Sequence, residues 1–114
     1  MKNQIEGRTA EDFACQHLTN YGLRLLDRNF LCRRGEIDLI MMDGPCLVFV
    51  EVRKRSSSSY GGALASVTPV KQNKIIKTAQ YYILQKKLNY QIPMRFDVVA
   101  IENTTLQWIK NAFY

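Results

Sequence analysis

Two short apolar runs in the middle of the chain constrain the fold more than any other feature. They span residues 37–42 and 47–52, and the segment Asp43-Gly44-Pro45-Cys46 separates them. A Gly-Pro pair between two aliphatic runs is typical of a tight turn, so the pattern predicts a β-hairpin. With the turn centred between Gly44 and Pro45, each residue of the first run has a predictable partner in the second.

The predicted hairpin places charged residues opposite one another. Asp38 would face Glu51, and Glu36 would face Arg53, all on one face because side chains alternate along a strand. Directly opposed like charges are destabilising, so Asp38 and Glu51 require a cation, a shared proton or a nearby basic side chain. Two carboxylates on adjacent strands suit Mg²⁺ or Mn²⁺, which prefer oxygen ligands. Two alternatives stay open: an ion-pair network in which Glu36 pairs with Arg53, and a one-residue register slip that separates the carboxylates.

The rest of the chain predicts two helices and three further strands around this hairpin. Apolar residues on both hairpin faces predict a central strand pair covered on both sides. Those on the face opposite the charges are Ile37, Leu39, Met41, Val48, Val50 and Val52. Thr9 is a suitable N-cap for a first helix that ends near Gly22 and buries Ala10, Phe13, Ala14, Leu18 and Tyr21. Thr68-Pro69 predicts the start of a second helix, which ends near Lys87 and in which Tyr81 and Tyr82 are expected to pack.

Further strands are predicted at residues 23–30, 94–101 and 106–110. The predicted order is therefore helix, three strands, helix and two strands. This pattern indicates an α/β domain of residues 1–114 with a mixed central sheet and helices on both faces.

Several segments resemble the YraN family of small bacterial proteins. They are GRTAEDFACQHL at residues 7–18, GEIDLI at 35–40, FVEVRKR at 49–55, RFDVVAI at 95–101 and WIKNAF at 108–113. Members of that family resemble archaeal Holliday junction resolvases, which belong to the restriction-endonuclease-like superfamily with its PD-(D/E)xK signature. The resemblance implies a restriction-endonuclease-like core and metal-dependent endonuclease activity on DNA, including branched or structured DNA. It also implies that a two-fold homodimer is one possible assembly.

The resemblance assigns catalytic roles to four residues. Asp38 takes the position of the metal-binding aspartate, Glu51 that of the second acid, and Glu11 that of the helix glutamate that completes the acidic cluster. From the residues alone, Glu11 is expected to be a solvated side chain near a helix N-terminus. Arg53 stands where the superfamily usually has lysine. Arginine cannot give up a proton as a desolvated lysine can, although it can stabilise charge on a phosphate.

The sequence leaves three functions open. The first is a metal-dependent endonuclease, and the second is a nucleic-acid-binding module of the same fold that has lost cleavage. The third is a protein-interaction domain with a structural acidic cluster. Restoring the usual lysine with Arg53→Lys would separate the first two.

The charge of the chain favours an anionic partner. Sixteen Lys and Arg against ten Asp and Glu give a net charge of +6, as expected of a protein that contacts phosphate backbones. Candidate DNA contacts, each of which can also be an ordinary solvated side chain, are Arg33, Arg34, Lys54, Arg55, Lys71 and Lys74. The serine-rich segment 56–62, with Tyr60 as a candidate base contact, is expected to be a mobile loop.

Other functional classes have little support in the sequence. Three cysteines without a C-x-x-C spacing and a single histidine, His17, argue against a disulfide framework, a zinc site and a Ser-His-Asp scheme. No apolar run approaches the roughly 20 residues that cross a bilayer, and the polar N-terminus lacks a secretory signal. A cytoplasmic protein without membrane partners is therefore expected.

Overall fold

The computed structural model describes the backbone of residues 2–55 and 62–114 and the side chains of residues 10–54, 62 and 64–114. In chain order the elements are α1 (Lys2–Asn20), β1 (Arg24–Cys32), β2 (Gly35–Asp43), β3 (Cys46–Arg55), α2 (Gly62–Ala65), α3 (Pro69–Gln85), β4 (Met94–Glu102) and β5 (Thr105–Phe113). The predicted order of two main helices and five strands is confirmed, and the short α2 is an addition that the sequence did not predict.

The five strands form one mixed sheet in the order β1-β2-β3-β4-β5. The β3–β4 pair is parallel, and the other three pairs are antiparallel. Because parallel neighbours need a crossover connection, the segment that contains α3 joins β3 to β4 across one face of the sheet. The expected mixed sheet is confirmed.

Each main helix covers one face of the sheet. Ala14 and Leu18 of α1 are fully buried in one apolar cluster, together with β-strand residues such as Val48. Ile75 and Ala79 of α3 belong to a second apolar cluster on the opposite face. These contacts confirm the α/β architecture with helices on both faces, the arrangement expected for a restriction-endonuclease-like core.

The hairpin register is as predicted near the turn. Met42 pairs with Leu47 and Ile40 with Phe49, but the ladder ends at the pair Leu39 and Val50. The predicted backbone pairing therefore does not continue to Asp38 and Glu51 or to Glu36 and Arg53. The backbone of Glu36 instead pairs with Leu31 of β1.

The alternation of side chains along β2 also breaks at Asp38. Ile37 was predicted to share a face with Leu39, but it lies in the α3 cluster while Leu39 lies in the α1 cluster. The β1–β2 pairing omits Asp38 and its neighbour Asn29, which has a φ of 50°. Asparagine tolerates this left-handed conformation better than most residues, and the resulting twist accounts for the change of face.

The first helix differs from its prediction in where it begins and in which side chains it buries. It begins at Lys2, so Thr9 lies inside it and is not an N-cap; the residues before Thr9 are mostly good helix formers without proline, which explains the extension. Phe13 and Tyr21 are 40% and 69% exposed rather than buried. The sheet contacts the helix face of Ala10, Ala14 and Leu18, and Phe13 falls beside that face.

The second main helix begins as the sequence predicts. The side chain of Thr68 accepts a hydrogen bond from the backbone N–H of Lys71 at 3.3 Å, and Pro69 is the first helical residue. Tyr82 is buried and packs in the core as expected, whereas Tyr81 is 42% exposed and does not. The last strand is longer than predicted and extends to Phe113.

Candidate functional site

The predicted catalytic residues come together around one cavity of about 320 Å³. It lies where β2 and β3 separate beyond the end of their ladder, beside α1. Its lining residues are Ala10, Glu11, Glu36, Asp38, Glu51, Val52, Arg53 and Lys54. The cavity therefore includes all four residues to which the resemblance assigned catalytic roles.

Asp38 occupies the gap between the two strands. Its Oδ2 accepts a hydrogen bond from the backbone N–H of Val52 at 2.8 Å, which takes the place of a backbone pair. Burial raises the pKa of Asp38 to about 6, even though the hydrogen bond from Val52 acts in the opposite direction. The negative charges of Glu11 and Glu36 raise this pKa further.

Glu51 is the more strongly perturbed carboxyl group of the pair. Its side chain is 13% exposed, and burial followed by repulsion from Asp38 raises its pKa to about 8. The two carboxyl groups share a hydrogen bond, which lowers the pKa of Asp38 and raises that of Glu51. Near neutral pH the pair therefore holds one shared proton.

Arg53 lies directly against this pair. Its Nη2 is 2.8 Å from Glu51 Oε2. Its positive charge lowers the pKa of Glu51, but by less than burial and the charge of Asp38 raise it. The contact with Arg53 and the hydrogen bond with Asp38 can exist together, because one oxygen of a protonated Glu51 can accept from Arg53 while the other donates its proton to Asp38. The partner of Arg53 is thus Glu51 and not Glu36. The buried Nε of Arg53 has no hydrogen-bond partner.

Glu11 reaches the cavity from α1, but basic and amide groups of β1 hold its carboxylate. Asn29 Nδ2 donates to Glu11 Oε1 and Oε2 at 3.1 and 3.2 Å and also approaches Glu36 Oε2 at 3.3 Å. Arg28 Nη2 lies 3.7 Å from Glu11 and 2.8 Å from Asp12. Glu11 is therefore a paired side chain at the edge of the cavity and not the freely solvated residue that its position alone predicted.

Within the part of the chain whose side chains are described, no three His, Cys, Asp or Glu residues are arranged as a ready-made metal-ligand set. Asp38 and Glu51 are the adjacent pair, and the role of Glu11 as a third ligand stays a prediction. The pair nonetheless suits a hard divalent cation, because its donors are carboxylate oxygens and a cation would relieve the repulsion that a proton now relieves.

Sequence reasoning missed two members of this cavity region. Glu36 could have been included, because it lies two residues before Asp38 in the same strand. Asn29 gave no usable signal: its contact with Glu11 depends on a left-handed backbone in β1 and on the position of α1 relative to the sheet. Both were outside the predicted site.

The predicted DNA-contacting residues are distributed over two places. Arg33 and Arg34 form the exposed turn between β1 and β2, and this turn packs against α3: a Cβ at Gly35 would lie 3.2 Å from Thr78 Oγ1 and 3.7 Å from Lys74 Cβ. Because Gly35 also has a φ of +154°, glycine is required at this close approach. The structure thus brings the arginine turn beside exposed Lys74.

Lys71 and Lys54 are nearer to the acidic cavity. The positive charge of Lys71 lowers the pKa of Glu51, which places the start of α3 beside the carboxylate pair. Lys54 lines the cavity itself. The side chain of Arg55, together with the serine-rich loop and Tyr60, lies outside the described residues.

No helix in the described ranges 2–55 and 62–114 has the length and apolar character needed to span a bilayer. The three cysteines are free thiols.

The fold and the cavity define a basic α/β protein with a five-stranded mixed sheet and a buried carboxylate pair. The sequence profile of the uncharacterised protein family UPF0102 matches residues 10–101. The chain belongs to this family, which is the YraN family of the sequence resemblance.

Curated relatives match over nearly the whole chain. A UPF0102 protein of Stutzerimonas stutzeri (strain A1501) is 51% identical over 98% of this chain and 97% of its own length. One from Herminiimonas arsenicoxydans is 50% identical over 96% of this chain and 86% of its own length. One from Legionella pneumophila (strain Philadelphia 1) is 46% identical over 96% of this chain and 95% of its own length.

Proposed function

We propose that this protein is a metal-dependent endonuclease that hydrolyses phosphodiester bonds in DNA. The observation that carries the proposal is the buried Asp38–Glu51 pair, which shares a proton beside Arg53 in a cavity with cations around it. Perturbed carboxyl groups that converge in a cleft are typical of active sites. The resemblance to resolvase-like nucleases names the same residues.

Asp38 and Glu51 would hold Mg²⁺ or Mn²⁺, with Glu11 as the additional ligand. A divalent ion bound there supplies a water of lowered pKa and stabilises negative charge on the phosphate oxygens. The side chains of this chain provide the conditions for such binding: Val52 N–H fixes the orientation of Asp38, and burial keeps competing water away from Glu51. Asn29 holds Glu11 at the cavity edge.

Arg53 would stabilise charge on the phosphate and would not act as a base. Its guanidinium keeps its charge at any relevant pH, and Glu51 already orients it through the 2.8 Å contact. The proton acceptor in this scheme is therefore the carboxylate pair or solvent.

DNA would be bound mainly through its phosphates. Arg33 and Arg34 on the turn, Lys71 and Lys74 on α3, and Lys54 at the cavity carry charges suited to backbone contacts, and Arg55 completes the predicted set. Such contacts position DNA without reading its sequence, and the proposal includes branched or structured DNA among the substrates. A homodimer in the cytoplasm is part of the same proposal.

The second candidate is a DNA-binding module of the same fold without cleavage. The specific observation in its favour is that Arg53 occupies the usual lysine position and is already paired with Glu51. This candidate predicts salt-sensitive DNA binding without metal-dependent turnover.

A cleavage assay tests the proposal. Four-way-junction and duplex DNA are incubated with the protein in Mg²⁺, Mn²⁺ or EDTA, using wild type, Asp38→Asn, Glu51→Gln and the matched charge control Asp12→Asn. We expect metal-dependent cleavage by wild type and Asp12→Asn, and at least about 100-fold less by the two site variants, because each loses a ligand that stabilises transition-state charge. Both site substitutions keep the shape of the side chain.

Undiminished cleavage by Asp38→Asn would contradict the assigned site. If wild type binds DNA without cleaving it, Arg53→Lys is assayed under the same conditions. Cleavage gained in Arg53→Lys would identify the binding module as the correct description, with only the lysine missing.

A further inference from the structure

A second cavity, of about 280 Å³, lies between the β1–β2 turn and the C-terminal half of α3. Its lining residues are Arg34, Lys77, Gln80, Tyr81 and Leu84. It shares no lining residue with the acidic cavity. Of its lining residues, the proposed function uses only Arg34, as a phosphate contact. The sequence could not predict it, because its two sides are brought together only when the turn packs against α3.

The cationic groups of this cavity are available to a ligand. Among the described side chains, no carboxylate forms an ion pair with Arg34 or Lys77. Other cations of the fold are paired: Arg28 contacts Asp12, Arg53 contacts Glu51, and Arg95 contacts Asp43 and Asp97. Two unpaired charges, Arg34 from the turn and Lys77 from α3, favour an anionic ligand such as a phosphate.

Helix α3 also contributes an aromatic ring and an apolar side chain to the cavity. Tyr81 is 42% exposed and Leu84 is 75% exposed. The ring of Tyr81 lies 6.3 Å from that of Phe30 between centroids, which supports it from within the fold. The neighbouring Tyr82 is different, because it is 3% exposed and donates its hydroxyl to Asp27 at 3.0 Å. Tyr81 is therefore the tyrosine that can receive a planar ligand.

We infer that this cavity binds one unpaired nucleotide of a DNA strand. The base stacks on Tyr81 beside Leu84, Gln80 contacts the base edge through its amide, and Arg34 and Lys77 contact the phosphate. A base inside a duplex presents only its edge, so a stacking ring selects bases that are unpaired. The inference rests on the proposed function for DNA as the polymer and adds which part of the DNA is recognised.

The position of the cavity relative to the acidic pair is compatible with one continuous strand. Lys71 lies beside Glu51, and Tyr81 follows ten residues later in the same helix, roughly 15 Å along its axis. Exposed Lys74 lies between them. A strand that follows α3 would therefore meet the acidic cavity near one end of the helix and the nucleotide cavity towards the other.

Binding is measured by fluorescence anisotropy in EDTA at low salt, so that the metal site does not contribute. The probes are a blunt duplex and a duplex with a single-stranded tail that carries the same number of phosphates. We expect wild type to prefer the tailed DNA. Tyr81→Ala should lose about 5- to 100-fold in affinity for the tailed DNA, the range measured for base–aromatic stacking, with little change for the blunt duplex.

Two variants serve as controls. Tyr81→Phe keeps the stacking face and should keep the preference. Tyr90→Ala removes another exposed tyrosine, 84% accessible between α3 and β4, and should also keep it. Equal affinity of wild type for the two DNAs, or an unchanged preference in Tyr81→Ala, would overturn the inference. Competition by a deoxynucleoside monophosphate as efficient as that by the tail would instead assign the cavity to free nucleotides and would also overturn it.

A cross-linking measurement on wild type decides the matter if Tyr81→Ala does not fold. Tails with 5-iodouracil at successive positions are irradiated, and the tryptic digest is examined for adducts. The expected adduct lies in the peptide of residues 78–86, on Tyr81; adducts confined to other peptides would refute the inference. Asp38→Asn should keep the tail preference, so a failure of the metal site and a failure of this cavity are separate results.

Discussion

Asp38 and Glu51 are a carboxyl pair whose proton is a consequence of burial. Burial is the largest cause that raises the pKa of each: Glu51, which Asp38 also repels, has a pKa of about 8, and Asp38, which Glu11 and Glu36 repel, has a pKa of about 6. At neutral pH the folded chain therefore holds a proton that the unfolded chain has released. A divalent cation can replace this proton, since both depend on the same negative charge.

The shared proton predicts how the stability of the metal-free protein depends on pH. A carboxyl group whose pKa is raised on folding stabilises the fold fully below its unfolded value of 4.5, and this contribution is lost as pH rises to its folded value of about 8. We expect the unfolding temperature in EDTA to fall between pH 5.5 and 8.5. Glu51→Gln, which needs no proton, should show a smaller fall when both are measured by thermal circular dichroism.

Added Mg²⁺ provides the control for this prediction. At pH 8.5 it should raise the unfolding temperature of wild type and leave that of Glu51→Gln nearly unchanged. A wild-type stability that rises from pH 5.5 to 8.5, or an equal fall in Glu51→Gln, would contradict the assignment of the proton to this pair.

At the residue scale, the sequence predicted the chemistry of the site better than its contacts. Asp38, Glu51 and Arg53 were chosen from strand alternation and family resemblance, and the structure places them together. The contact between Asn29 and Glu11 was unpredictable, because it requires two residues 18 positions apart to meet through the packing of α1 on β1. Propensities along the chain contain no information on such packing.

The hairpin of β2 and β3 is the element whose prediction was most complete. Its turn and the pairing of Met42 with Leu47 followed from the Gly-Pro signal and from apolar alternation. The separation of the strands at Asp38 did not follow, because a side chain that accepts from Val52 N–H replaces a backbone pair there. The acidic cavity thus occurs where the regular strand pattern ends, which is where functional sites are expected.

Strand β4 contains a buried charge that requires hydrogen-bond partners. Asp97 is 0% exposed, and it accepts from Arg95 Nε at 3.0 and 3.2 Å, from Trp108 Nε1 at 2.9 Å and from the backbone N–H of Asn111 at 3.0 Å. The network connects β4 to the end of β5.

Removing this carboxylate should destabilise the sheet. Asp97→Ala leaves buried donors of Arg95 and Trp108 unpaired, so we expect a loss of about 3–5 kcal/mol in the free energy of unfolding, measured by urea denaturation. Asp43→Ala is the matched control: it removes the other carboxylate of Arg95, which is 36% exposed, and should cost less. A loss below that of Asp43→Ala would show that the network does not stabilise the sheet.

At the scale of the whole molecule, the order of elements and the sheet covered on both faces were predictable from the sequence. Which surface residues of different elements lie next to one another was not. Apolar residues on both faces of the hairpin required helices on both sides, which α1 and α3 provide. The packing of the arginine turn against Lys74 and Thr78 depends on the angle of α3 over the sheet. This packing brings the arginine turn beside Lys74 and forms the cavity at Tyr81.

The central claim is that the carboxylate pair binds a divalent metal ion, and calorimetry tests it most directly. The full chain, freed of metal with EDTA and dialysed, is titrated with Mg²⁺ and with Mn²⁺ at pH 7.5, as wild type, Asp38→Asn and Asp12→Asn. We predict binding to wild type and Asp12→Asn, accompanied by proton release in buffers of different ionisation enthalpy, and no detectable binding to Asp38→Asn. Equal binding to Asp38→Asn, or no binding to wild type even with DNA present, would contradict the account.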